Sequence, residues 1–420
     1  MHHVTRLPNG LTIATAEMPH MASVSLGLWA GVGGRYEPAA WSGVSHFLEH
    51  MLFKGTRRRT ALQIAQQGER AGGSLDAFTG WEHTCFQARA RHDRFGDLLD
   101  VLLDMFLNSR FTPAAMAVER NVIKEELAMD FDQPEQHVQE LLYNSLWPDQ
   151  ALGRPLAGTR QTLDVIGRAE LLRFQRTHYT AANTVLAVAG HVRHPQVVRA
   201  VARFARHFHD GPRPVFAPAM EPQAAPRVRL ESRPVAQTQF ALGIRTCSRH
   251  DPRRFALSVL NIILGENTGS RLFQLLREEY GLVYSVQTAA GFFADTGDLT
   301  ISAGLDTDNL PRALKLICRE LRRLTEQPPG AGELRHARDY ALGQFDLALE
   351  PTESRMLWLG EQLVSYGRHI SAAATKRRLA AVTAAEVRAA ARDFFRPERL
   401  NLALVSPLKR ETGLARLLAV

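Results

Sequence analysis

The sequence predicts an α+β protein made of two related domains, each a mixed, mostly antiparallel sheet covered by helices. Three observations lead there. The 420 residues exceed the roughly 250 to 300 at which a single core stops growing. Near the middle, GPRPVFAPAMEPQAAPRVR (211–229) carries Pro212, Pro214, Pro218, Pro222 and Pro226, which forbid helix and most sheet pairing and so read as a semi-rigid linker. The flanking halves also match at an offset of 216. ELLRFQRTHYTAANTVLAVAG, from Glu170, lies over EVRAAARDFFRPERLNLALVS, from Glu386, with apolar positions coinciding at Leu171/Val387, Tyr179/Phe395, Leu186/Leu402, Ala187/Ala403 and Val188/Leu404. So long a period is a duplicated domain rather than a solenoid repeat, and the domains expected are 1–210 and 230–420.

Taken in order, MHHVTRLPNGLTIAT reads as strand, Pro-Asn-Gly turn and strand within 4–17, followed by a strand at 22–33. Helical periodicity follows at 43–53, 60–71, 94–108, 113–147 and 168–178, with strands at 74–79, 83–91 and 184–190. In the second half, strands at 227–246, 283–291, 297–303 and 400–405 are interleaved with helices at 253–280, 309–324, 330–366 and 383–395. Runs of helix between groups of strands place helices over one face of each sheet.

Composition narrows the function. A hydrophobic content of 45% with 22% charged residues excludes disorder. No stretch approaches the 18 apolar residues of a membrane span, and the N-terminus lacks the pattern of a signal or transit peptide. Cys85, Cys247 and Cys318 are far apart and form no CxxC, which excludes a cysteine metal site and fits a reducing compartment, with the cytoplasm expected. The net charge of +8 comes from scattered arginines, and the one cluster, Lys54 with Arg57, Arg58 and Arg59, has no interleaved aromatics. A solvated basic face, not a nucleic-acid surface, is expected.

The chemistry is concentrated in HFLEH (46–50). Residues four apart lie one turn above each other, so His46 and His50 can face one metal ion with Glu49 beside them. The order is the reverse of HExxH, and either order lets a carboxylate reach a metal-activated water. A catalytic zinc needs a third protein ligand. Glu119 and Glu126, in VERNVIKEELAMD (118–130), are seven apart on one helical face and can point at a common site, while Glu125 points about 100° away. By themselves these glutamates read first as a solvated helix surface.

HFLEHMLFKGT, followed after 75 intervening residues by the second glutamate of ERNVIKEEL, resembles the M16 peptidases, the inverzincins that include insulin-degrading enzyme, pitrilysin and the mitochondrial processing peptidase. The resemblance spans the chain and implies a processing-peptidase-like metallohydrolase fold and a zinc endopeptidase. His46, His50 and Glu126 would hold one Zn2+ per chain, Glu49 would be the general base, and Glu119 a supporting glutamate. GGSLDAFTGWEHTCF (72–86) resembles the segment on which these enzymes pair an extended substrate, implicating Asp76 and Ala77. Asparagine is usual at the position of Asp76, and an ionised aspartate accepts but cannot donate. LNIILGENTGSRLFQLLREEYGLVYSV (260–286) resembles the family's other signature, whose arginine and tyrosine reach the scissile region. These are Arg277 and Tyr284, which without the resemblance would be ordinary surface and core residues.

Family architecture implies a chamber formed by two subunits, with the Arg/Tyr pair supplied by the half opposite the metal. A homodimer is expected, and a heterodimer with an M16-like partner is the other arrangement. Peptides or unfolded protein segments are the expected substrates, with no nucleic-acid or membrane partner. Some relatives keep the fold as non-catalytic subunits. They lose HxxEH or the distal glutamate, both of which this chain retains.

Overall fold

The computed structural model describes residues 2–420 and is mixed α+β, with two sheets. The first contains β1 (His2–Arg6), β2 (Thr12–Glu17), β3 (Ser23–Ala30), β4 (Ser74–Thr79), β5 (Thr84–Arg91) and β6 (Thr184–Gly190), in the order β1-β2-β6-β3-β5-β4. Only the β2–β6 pair is parallel. The second contains β7 (Arg227–Ser232), β8 (Thr238–Thr246), β9 (Val283–Phe292), β10 (Gly297–Leu305) and β11 (Leu400–Ser406), in the order β7-β11-β8-β10-β9. Here only β7–β11 is parallel.

The two orders superpose strand for strand once β1 is set aside, and the register repeats too. Leu186 of β6 lies between Ile13 and Leu28, and Leu402 of β11 between Val228 and Leu242. Leu186/Leu402, Ala187/Ala403 and Val188/Leu404, which coincide at an offset of 216, are thus equivalent central-strand residues, while Leu171 and Val387 lie on the helices that precede those strands. β6 and β11 are buried along their whole lengths, so both faces of each sheet are covered, not one as expected.

The second cover comes from the other half of the chain. One compact unit comprises 1–127, 155–217 and 346–370, and the other comprises 128–154, 218–345 and 371–420. The boundary expected at 211–229 therefore does not by itself separate the units, because each takes a helical segment from the opposite half. In the first, the helix Thr352–Tyr366 lays Met356, Leu359 and Leu363 on Trp29, Ala14 and Ala187. Two glycines permit the approach: a Cβ on Gly27 would sit 2.2 Å from the Met356 sulfur, and one on Gly360 2.0 Å from Trp29 Nε1. Thr352 Oγ1 hydrogen-bonds Ser25 Oγ at 2.9 Å.

Proline also revises the expected helices. The helix expected over 113–147 is broken at Gln133, since Pro134 occupies the first turn of a new helix, and the one expected over 330–366 is divided at Pro351. The helix expected over 253–280 is interrupted near Asn267 and contains wide i→i+5 turns at Ile262–Glu266 and Gln274–Glu279. Residues 210–226 carry neither helix nor strand. Among the described residues no helix is long and apolar enough to cross a membrane, and the three cysteines are buried and unpaired.

Candidate metal centre

The helix α1 (Val44–Leu52) exists because Val44, Phe47, Leu48, Met51 and Leu52 bury into the core between sheet and helices. That leaves His46, Glu49 and His50 on its remaining face. Its entry is built by two residues outside the HxxEH pattern. Gly43 has φ of +93°, and a Cβ there would meet Ala157 O at 2.6 Å, so only glycine fits. Glu37, buried, accepts from Gly43 N–H and Ser45 N–H at 2.8 Å each, putting a carboxylate on the positive end of the helix. Glu37→Gln retains one acceptor and turns an amide N–H2 toward the other backbone N–H. It is expected to cost about 1–3 kcal/mol of stability. Thermal unfolding of the metal-free protein measures this, and an unchanged midpoint would show that the cap is dispensable.

The third donor arrives on α2 (Pro113–Asp132), whose Met116 and Ile123 are buried. The heptad spacing places Glu119 and Glu126 over α1. Glu126 Oε2 lies 3.5 Å from His50 Nε2 and 4.0 Å from His46 Nε2. Among the described residues, one atom from each of His46, His50 and Glu126, all within 4.8 Å of one another, forms the only cluster of three or more that suits a metal ion. Tetrahedral zinc with bonds of about 2.0–2.1 Å holds its donors about 3.4 Å apart, so this set fits with small side-chain movements.

The imidazoles are also prepared as ligands. His50 Nδ1 lies 3.1 Å from Glu119 Oε2, and Glu119 is buried with Lys54 Nζ 2.7 Å from its other oxygen. The proton held at Nδ1 leaves the Nε2 lone pair for a metal. Burial, with a smaller contribution from His50, pushes the His46 pKa down to about 4, keeping that ring neutral. His46 Nδ1 is buried without a hydrogen-bond partner among the described residues.

Glu49 is not among the donors. Thr79 Oγ1, at the end of β4, donates to its Oε2 at 2.5 Å, leaving Oε1 free. Burial raises the Glu49 pKa, and the Thr79 hydrogen bond partly offsets the rise. β4 is the edge of its sheet, pairing within the sheet only with β5. The Gly80 N–H to His83 O bond sets the ladder's alternation, so Ala77 turns its backbone groups away from β5, and its N–H is taken by Asp76 Oδ1 at 2.8 Å.

Arg277 and Tyr284 belong to the other unit. The Arg277 guanidinium lies over the Tyr284 ring at 5.1 Å and over Phe273 at 4.9 Å, and Tyr284, at the start of edge strand β9, is 83% exposed. So large an exposed aromatic, bracketed by buried Val283 and a guanidinium, is not a core residue. Sequence reasoning missed Glu37, Lys54 as a partner of Glu119, and Thr79. Only Glu37, six residues ahead of Gly43, carried a local signal. Three of the four basic residues after Phe53 form ion pairs: Lys54 with Glu119, Arg58 with Asp100 at 2.9 Å, and Arg59 with Asp100 and Asp104.

Known proteins resemble the chain over nearly its whole length. Residues 12–160 match the family described as Insulinase (Peptidase family M16), and residues 166–340 match the Peptidase M16 inactive domain. An uncharacterized zinc protease of Mycobacterium bovis is 38% identical over 407 residues, 96% of this chain and 92% of that protein. One of Bacillus subtilis is 33% identical over 400 residues, 95% of this chain and 97% of that protein. A protease from Helicobacter pylori shares the fold at a TM-score of 0.90 with 18% identity, covering 97% of this chain and all of the other. The match of residues 12–160 to the M16 model, with identities of 33–38% over almost the whole of both chains, places the chain in peptidase family M16.

Proposed function

We propose that this protein is a zinc-dependent endopeptidase that cleaves extended peptides or unfolded protein segments, with one ion per chain. The observation that carries the reading is the convergence of His46, His50 and Glu126 beside a free carboxylate oxygen of Glu49, next to an edge strand able to accept a substrate strand. A zinc ion held there would supply Lewis-acid polarisation and acidify a water, making hydroxide available near neutral pH. Glu49 Oε1 takes the proton released as water attacks the scissile carbonyl and returns it to the departing amine. Thr79 fixes the Glu49 carboxylate for both transfers, and Glu119 keeps the His50 proton on Nδ1.

Charge developing on the carbonyl oxygen needs donors. Tyr284 O–H and, less directly, Arg277 suit that role, and the exposure of Tyr284 supports their acting on a surface other than their own unit. We assign them to the site of the opposite subunit in a dimer that encloses the substrate. A single chain carries both components, so a homodimer suffices.

The test is hydrolysis of an unstructured, internally quenched peptide by zinc-loaded protein. Activity is expected and should vanish with a chelator; chelator-resistant cleavage would refute zinc dependence. Mixing inactive Glu49→Gln with weakened Tyr284→Phe protein should restore activity through mixed dimers holding one intact site. No recovery, with subunit exchange verified, would reject sharing between subunits.

A further inference from the structure

The two faces of β4 are unlike. Leu75 and Ala77 pack toward the core that holds α1, and Thr79 reaches Glu49 on that side. Phe78 packs instead with Trp29 on the opposite face, where residue alternation also places Asp76. Asp76 is exposed, and no cationic nitrogen lies within 4.0 Å of its carboxylate among the described residues. Arg89, on the same face of β5, leans to Glu353 at 3.7 Å. The edge strand thus carries one uncompensated carboxylate, which accepts a hydrogen bond from Ala77 N–H, a group a pairing strand would claim.

Strand geometry converts this into a preference at one substrate position. A strand added antiparallel to β4 bonds to the outward N–H and C=O of Ala77, so Asp76 faces its opposite residue in a non-hydrogen-bonded pair, where side chains approach most closely. Cβ atoms there are about 4.5–5.5 Å apart, opposite charges attract and like charges repel. Pairing also transfers the Ala77 N–H to a substrate carbonyl and frees Asp76 Oδ1 for a new partner.

We propose that Asp76 is a specificity-determining residue that selects a lysine or arginine at the single position of the substrate strand opposite it and disfavours an acidic one. The assignment rests on the peptidase reading for its consequence in catalysis, but strand binding tests it independently. Quenched peptides identical except for one Lys, Glu or Ala walked through successive positions would be assayed for kcat/KM with zinc-loaded wild-type and Asp76→Asn protein. Their binding would be followed by fluorescence anisotropy on zinc-loaded Glu49→Gln protein, with and without the second substitution.

At one position wild type should favour Lys over Glu by about three- to tenfold, shrinking at high salt and falling to near parity in Asp76→Asn. Ala peptides measure whatever effect the substitution has apart from substrate charge, and the Lys and Glu peptides are read relative to them. A Lys-to-Glu ratio that is the same with and without Asp76→Asn, in cleavage or, where nothing is cleaved, in binding, overturns the assignment. Absence of cleavage with charge-selective binding intact would indict the peptidase reading alone and leave Asp76 in its role.

Discussion

Glu49→Gln is expected to bind zinc as the parent does and to lose roughly 10³-fold or more in turnover. The two halves of this expectation rest on different observations. Metal binding should survive because the donor cluster consists of His46, His50 and Glu126, and glutamine preserves the volume of Glu49 without disturbing any of them. Its amide oxygen can still accept from Thr79. Catalysis should fail because an amide cannot accept the proton of an attacking water. Folding should not suffer, since burial already raises the Glu49 pKa and a neutral group there avoids that penalty. Metal content and steady-state hydrolysis of the quenched peptide, measured on one preparation, decide it. Near-normal turnover with full zinc would remove Glu49 as the base.

What could be read from the sequence followed the range of the physics involved. HxxEH and the Glu119/Glu126 heptad are helical patterns, so each pair's shared face is a local property. Joining the two patterns required a zinc ion's need for a third ligand, together with family resemblance, because nothing local brings residue 126 to residue 50. Thr79 was invisible: its hydroxyl meets Glu49 only because β4 ends beside α1, and no periodicity encodes that.

The fold divides similarly. The repeat between Glu170 and Glu386 was visible as an amphipathic helix running into an apolar strand, and it marks the fully buried β6 and β11. Those same segments, apolar at consecutive positions, called for cover on both faces, yet the helices supplying it lie in the opposite half of the chain. Such an exchange leaves no trace in local composition. Proline at 134 and 351 was legible and was passed over, because the apolar period resumes beyond each break and makes two helices look like one.

His50→Ala is expected to abolish stoichiometric zinc binding. Loss of an outer partner to a metal ligand typically weakens affinity by about 10–100-fold, the range expected for Glu119→Gln, whose Oε2 is the partner of His50 Nδ1. Removing His50 does more, because it deletes a donor and leaves only His46 and Glu126, two ligands on separate helices with 4.0 Å between His46 Nε2 and Glu126 Oε2. It also strips Glu119, a buried carboxylate, of one of its two side-chain partners, although Lys54 at 2.7 Å continues to compensate its charge, so the fold should persist. Unfolding temperatures separate these effects. A ligand at 1,000 times its Kd stabilises the folded state by about 4 kcal/mol. Added zinc should therefore raise the unfolding midpoint of the parent, raise that of Glu119→Gln only at higher concentration, and leave His50→Ala unmoved. A full equivalent of zinc retained by His50→Ala would show that the ion sits elsewhere. The same result would dissolve the reason for placing the proton-accepting oxygen of Glu49 beside it.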